Sequence, residues 1–291
     1  MNPKILPVAA FLLLCGALTA ARDIRLIGSD LFGEALRPVL EEEASRRGWD
    51  LQLEFEGTLE ATRALEAGAA DLALLALPRD NPGAYGSRAW PIGFEVTAVV
   101  VNEANPLREV ALDDLRALFA APETSDPTVW GAAGAEGAWA TRQVSPHSQR
   151  DRRHLNLELF RSIVLGPREM RLDLRYWDDK AALLEQIGEE TNAIGLVPVG
   201  EDHPQVRPLF IAVNAQSQAY NPTAQSVFYG DYPLRLAFYL IVRDGVRDEQ
   251  VTALARFLIG DEVAAAIEAA GYMPVPATER QQFAMDLDPG S

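Results

Sequence analysis

The chain has 291 residues, is 48% hydrophobic and carries a formal charge of −16 from 42 acidic and 26 basic residues. That length allows one or two domains with a sizeable core. The acidic balance argues against non-specific binding to nucleic acid or anionic lipid.

The first 21 residues read as an export signal: Lys4, then "PVAAFLLLCGALTA", then the small residues Thr19, Ala20 and Ala21. The apolar run is too short to span a bilayer comfortably, and cleavage near Ala20 or Ala21 would release the mature chain. Cys15 is the sole cysteine and lies inside that signal; Leu14 before it is not the small residue a lipid anchor wants. The mature chain is therefore expected to have no disulfide and no cysteine metal site. Positive charge is almost all arginine, with Lys4 and Lys180 the only lysines.

Strand and helix patterns then alternate. "DIRLIG" reads as a strand. "FGEALRPVLEEEASRRG" reads as a helix with Leu36, Val39, Leu40 and Ala44 near one face, Pro38 near its first turn and Gly48 at its end. "DLQLEFE" is a strand, "TLEATRALEAG" a short helix ended by Gly68, and "ADLALLALP" a buried parallel strand. This β-α-β-α-β opening is that of a doubly wound sheet. "FEVTAVVVNEAN" is a strand, "LDDLRALFAA" a helix, residues 121–138 a loop, "WATRQVS" a candidate strand and "LNLELFRSIVLG" a helix. "DKAALLEQIGEE" is a helix and "AIGLVPV" a strand; residues 214–233 look irregular. "LRLAFYLIVRD" is a long strand, "DEQVTALARFLIGDEVAAAIEAAG" one or two helices, and "MDLDPGS" a disordered tail. No flexible linker separates two units. The pattern implies two lobes joined through "FEVTAVVVN" and "LRLAFYLIV", hence a hinge with a cleft between them.

The turn Gly28-Ser29-Asp30, between the first strand and first helix, aims backbone N–H groups and the positive end of the helix dipole at one point. Such a point suits an anion, and it also arises in α/β proteins from topology alone. His147, His154 and His203 have no standard metal spacing, and no nucleophile elbow, P-loop or dinucleotide fingerprint occurs. No metal, cofactor or catalytic residue is expected. Acidic clusters such as Glu41-Glu42-Glu43 read as solvated helix faces.

Several stretches, in order and over nearly the whole mature chain, resemble the phosphate-binding proteins of ABC transporters. They are "IGSD", "EFEGT", "LEAGAADLALLALP", "VVVNEANPLREVALDDLRALFA", "NAIGLVPVG", "YPLRLAFYLIV" and "FLIGDEVAAAIEAAGYMPVP". The resemblance implies an α/β, type II periplasmic binding protein fold. Two doubly wound lobes, 22–97 plus 238–291 and 98–237, would follow the signal peptide 1–21. It also implies a non-enzymatic periplasmic monomer that captures a small oxyanion, most plausibly phosphate, and serves the transporter's membrane subunits.

Family site residues carry over position by position. Ser29, with the backbone at Asp30 and Leu31, matches the first anion turn, although Leu31 and Phe32 replace a hydroxyl there. Thr58 matches a second hydroxyl and would equally serve as a helix N-cap. In the second lobe Arg150 takes the arginine position and His154, Leu155 and Asn156 replace Ser-Gly-Thr; an alternative register puts Ser148, Gln149 and Arg150 in the turn. The acid that the best-known phosphate binders carry before the proline of "LLALP" is absent, Ala76 and Leu77 standing there. These departures leave a second reading open: a fold that lost its phosphate clamp and acts as a periplasmic sensor or interaction protein, or takes another ligand.

Overall fold

The computed structural model describes residues 23–77, 81–85, 88–122, 127–150, 152–200 and 202–287. The export signal expected over 1–21 lies outside them, as does the proline of "LLALP". The fold follows from three parallel strands at each end of one sheet and two long antiparallel strands between them. β1 (Ile24–Gly28), β2 (Leu51–Glu54) and β3 (Leu72–Leu77) are mutually parallel, with β1 in the middle. Between them run α1 (Asp30–Arg47) and α2 (Thr58–Glu66). β4 (Arg88–Asn102) is 15 residues of almost unbroken apolar sequence and is buried along nearly its whole length.

Beyond β4 come β5 (Glu109–Ala111), α3 (Leu112–Phe119), β6 (Ser145–Gln149) and α4 (Asn156–Phe160), which continues as a π-turn to Leu165. β7 (Arg175–Trp177), α5 (Lys180–Glu189) and β8 (Ala193–Pro198) follow, with β6, β7 and β8 again parallel. β9 (Val206–Pro208), β10 (Phe210–Ala212) and α6 (Ala224–Phe228) complete this half. The chain returns along β11 (Arg235–Val242) and closes with α7 (Glu249–Ile259), α8 (Asp261–Ala269), β12 (Met273–Pro274) and α9 (Ala277–Asp286).

β4 joins the two halves. Its residues Arg88 to Val96 pair with β11, and from Thr97 to Val101 it pairs with β8. The return passes beside the same point, where the Thr97 N–H donates to Leu234 O and the Tyr232 hydroxyl donates to Thr97 O. Burial drives the Tyr232 phenol well above its ordinary pKa, so it acts here as a neutral donor in the core.

Local departures from expectation have physical causes. α1 starts at Asp30, so Pro38 sits more than two turns inside it; the residue is exposed, which leaves the orphaned carbonyl of the preceding turn to water. Glu43 is buried rather than solvated, because Arg46 and Arg47 both donate to its carboxylate at 2.6 Å. "WATRQVS" is not a strand; β6 lies at Ser145–Gln149 and buries polar side chains. The tail is helical as far as Asp286, with Leu287 buried in the core.

Candidate functional site

Strand register brings the two parallel sets face to face. Leu77, the last residue of β3, is level with Phe94 of β4 through Ala237. Pro198, the last residue of β8, is level with Thr97. Three residues at ~3.4 Å each separate these levels, or about 10 Å along β4. The carboxyl ends of β1, β2 and β3 thus face those of β6, β7 and β8, and α1, α2, α4 and α5 each begin where such a strand ends. Ligands of open α/β sheets bind at these ends, and the helix starts add unpaired N–H groups and positive dipole ends.

The turn after β1 is built by backbone. The Ser29 N–H donates to Leu74 O at 2.8 Å, and the Gly57 N–H donates to Gly28 O at 3.0 Å. A Cβ on Gly28 would lie 2.7 Å from the Leu74 Cβ, so only glycine permits that approach. The Thr58 hydroxyl accepts from the Ala76 N–H at 3.0 Å, which pins α2 to β3; Thr58 is therefore inside its helix and caps a strand rather than the helix. Ser29 is buried at the start of α1, Asp30 is exposed and Leu31 half-buried. Phe32 points into the core, stacked on Phe238 at 4.0 Å.

A cleft of about 640 Å³ opens between the halves. Gln149, Arg153, His154 and Lys180 line it from one side, and Glu268, Gly271, Tyr272 and Met273 from the other. Asp178 and Asp179 also reach it, so its walls carry both signs of charge. Lys180 Nζ donates to Val199 O at 3.0 Å and Gly200 O at 2.8 Å, which fixes this side chain, one of the chain's two lysines, at the end of β8. The Gln149 amide is buried, and its Oε1 has no partner among the described residues.

Of the eight residues singled out in sequence, His154 lines this cleft. Ser148 and Asn156 lie buried behind it, both donating to Gln149 O, at 3.1 and 3.3 Å. Arg150 does not join them: its guanidinium is exposed, 3.6 Å from Asp178 and over the Tyr176 ring at 5.4 Å. Sequence reasoning missed Gln149 as a lining side chain, Arg153, Lys180 and Tyr272. It also missed Glu95, a lone acid in the apolar run of β4, whose carboxylate is buried against His154.

Beside the site, His147 is fully buried on β6. Trp177 Nε1 donates to its Nδ1 at 3.0 Å, so Nδ1 carries no hydrogen, while Nε2 lies 3.1 Å from Ser145 Oγ and 3.3 Å from Glu190. Burial, against the opposing pull of Glu190, holds the His147 pKa below its ordinary value. Burial alone would raise Glu190, but Ser145, His147, Arg175 and Gln186 together bring it lower than usual. Among the described residues no group of three or more His, Cys, Asp and Glu side chains is placed to hold a metal ion, and no helix is long and apolar enough to cross a membrane.

Two α/β halves joined through a shared central strand, with helix starts facing a cleft, define the type II periplasmic binding protein fold. The comparisons with known proteins agree. A family model described as a PBP superfamily domain matches residues 16–262. The chain is 22% identical over 285 residues to the phosphate-binding protein PstS of Pseudomonas aeruginosa, covering 91% of this chain and 87% of that protein. It is 23% identical over 193 residues to protein SphX of Synechococcus elongatus, covering 64% and 56% of the two chains. Among solved structures, a possible phosphate binding protein from Planctomyces limnophilus aligns with a TM-score of 0.70 at 18% identity, over 92% of this chain and 99% of that one. PstS from Borrelia burgdorferi aligns at 0.67 and 12% identity, over 88% and 100%. The chain belongs to the PBP superfamily, and over most of its length it is similar to PstS.

Proposed function

We propose that this protein is an exported, non-enzymatic solute-binding protein that takes a small oxyanion, phosphate first, into the cleft for an ABC transporter. The observation that carries this reading is that strand carboxyl ends of the two halves face each other, with a cleft between the halves holding Arg153, His154 and Lys180. A desolvated oxyanion needs a donor at nearly every lone pair, and backbone N–H groups and cationic side chains are such donors. The lobes are residues 22–97 plus 238–291 and 98–237, the hinge running through β4 and the approach to β11. The expected export signal would place the mature chain in the periplasm, as a monomer beside the transporter's membrane subunits. The relatives named PstS and phosphate-binding protein support phosphate as the first ligand to try.

A second reading keeps the fold without the phosphate clamp, as a sensor, an interaction protein or the binder of another ligand. It is favoured by side chains already committed within the protein: Ser148 and Asn156 to Gln149 O, Thr58 to the Ala76 N–H, and Phe32 to the core. A thermal-shift series with phosphate, arsenate, sulfate and molybdate separates the two. Binding to the folded form raises the melting temperature. A clear rise with millimolar phosphate supports the first reading, and no response to any oxyanion supports the second.

A further inference from the structure

We propose that Glu95 is the positioning residue of the cleft: from the strand that joins the halves, it holds the 153–156 turn of the opposite half in its ligand-facing shape. The proposal rests on the oxyanion reading above, since Arg153 and His154 of that turn line the cleft. Glu95 is 1% exposed. Its Oε2 accepts from the Leu155 backbone N–H at 3.2 Å and lies 3.2 Å from His154 Nδ1. A carboxylate only accepts, so Nδ1 carries the hydrogen of that contact, and the ring orientation is fixed with it.

The rest of the turn is held in the same manner, residue by residue. Tyr272 Oη donates to Arg153 O at 2.7 Å, and Thr97 Oγ1 donates to Asn156 O at 2.9 Å. The Tyr272 ring packs on His154 at 4.9 Å. Gly271, at φ +85°, leaves room where a Cβ would stand 2.9 Å from His154 Nε2. All of these holders lie on β4 or on the turn between α8 and β12, and the turn they hold precedes α4 on the other side of the cleft.

A buried carboxylate is costly to keep, and this one is underused: among the described residues Oε1 has no partner. Space-filling alone would favour an apolar side chain at this position, between the buried Phe94 and Val96. The polar side chain is accounted for by the two donors of the turn, which no apolar residue could bind.

Two substitutions separate positioning from packing. Glu95→Gln keeps the shape and one acceptor, whereas Glu95→Leu keeps bulk and removes both acceptors. Calorimetric titration with inorganic phosphate should show binding weakened at least about tenfold by Glu95→Leu and only about threefold by Glu95→Gln. Hydrogen exchange at the Leu155 amide should quicken in the same order while exchange in β1 and β3 stays as in the parent chain. If the carboxylate served overall stability alone, its replacement would instead lower the melting temperature and speed exchange throughout, with phosphate affinity of the folded protein unchanged. A folded Glu95→Leu protein with parental affinity and parental Leu155 exchange overturns the proposal. Should Glu95→Leu not fold, Glu95→Gln decides: parental values of both quantities overturn it. If the parent chain gives no heat with phosphate, the functional reading fails on its own, and Leu155 exchange alone decides the role of Glu95.

Discussion

The turn after β1 and the 153–156 turn, each beyond a strand end of its own half, are held in opposite ways. The turn after β1 is fixed by its own half: Ser29, Gly57 and Thr58 are tied to β1 and β3 through the backbone atoms of Leu74, Gly28 and Ala76. The 153–156 turn is fixed from outside its own half or at the junction, by the side chains of Glu95, Thr97 and Tyr272. The first kind of turn is complete once its half has folded. The second is complete only when the halves are together. Substitutions at the first should therefore act on stability, and those at the second on ligand binding.

The largest expected effect is at Gly271. Gly271→Val places a β-branched residue at positive φ, costing about 1–2 kcal/mol, and drives a side chain into His154. Phosphate affinity should fall well over tenfold; calorimetry showing parental affinity would separate the turn from the ligand site. Arg153→Ala, which removes a cation from the cleft, should cost about tenfold in affinity with little change in melting temperature. Tyr272→Phe removes one hydroxyl donor, so about 1 kcal/mol and roughly fivefold in affinity is expected. Arg150→Ala sharpens the contrast. The family resemblance makes Arg150 the anion's arginine and would imply at least about a tenfold loss, whereas its exposed position beside Asp178 and Tyr176 implies less than about threefold.

The smallest effect is a pH dependence that includes the buried His147 of the second half. His147 is held neutral by burial, with its pKa below the ordinary 6.5. The unfolded chain gains a proton as pH falls through about 6.5 that the folded chain refuses, so stability declines from there, by at most ~1.4 kcal/mol per pH unit. The lowered carboxylates Asp173, paired with Arg171, and Glu190 contribute at higher pH and lose their contributions only further down, below about pH 4.5. Denaturant titrations of the parent and of His147→Gln between these limits should converge as pH falls. Parallel curves would mean that the Trp177–His147 bond does not report protonation.

Much of the fold was legible because its strands are continuous apolar runs. β1, β3, β4, β8 and β11 each announce themselves, and the shared strand implied a hinge without a linker. β6 was not legible: "SPHSQ" is polar, yet it is buried because its side chains bond one another and Trp177, which hydropathy cannot see. The same blindness hid Glu43 and Glu95, whose burial depends on partners three or four residues away in one case and about sixty in the other. At the site, motif matching found His154 but assigned the cation to Arg150, because sequence order does not say which of several neighbouring arginines turns inward. Lys180 and Tyr272 reach the cleft from elements distant in sequence, and only strand register brings them there.

A crystal structure of the protein grown with millimolar phosphate tests the central claim most directly. One ion is expected between the halves, within hydrogen-bonding distance of Arg153 or His154 and of backbone N–H groups at the start of α5. An empty cleft, or an ion held elsewhere on the surface alone, would contradict it.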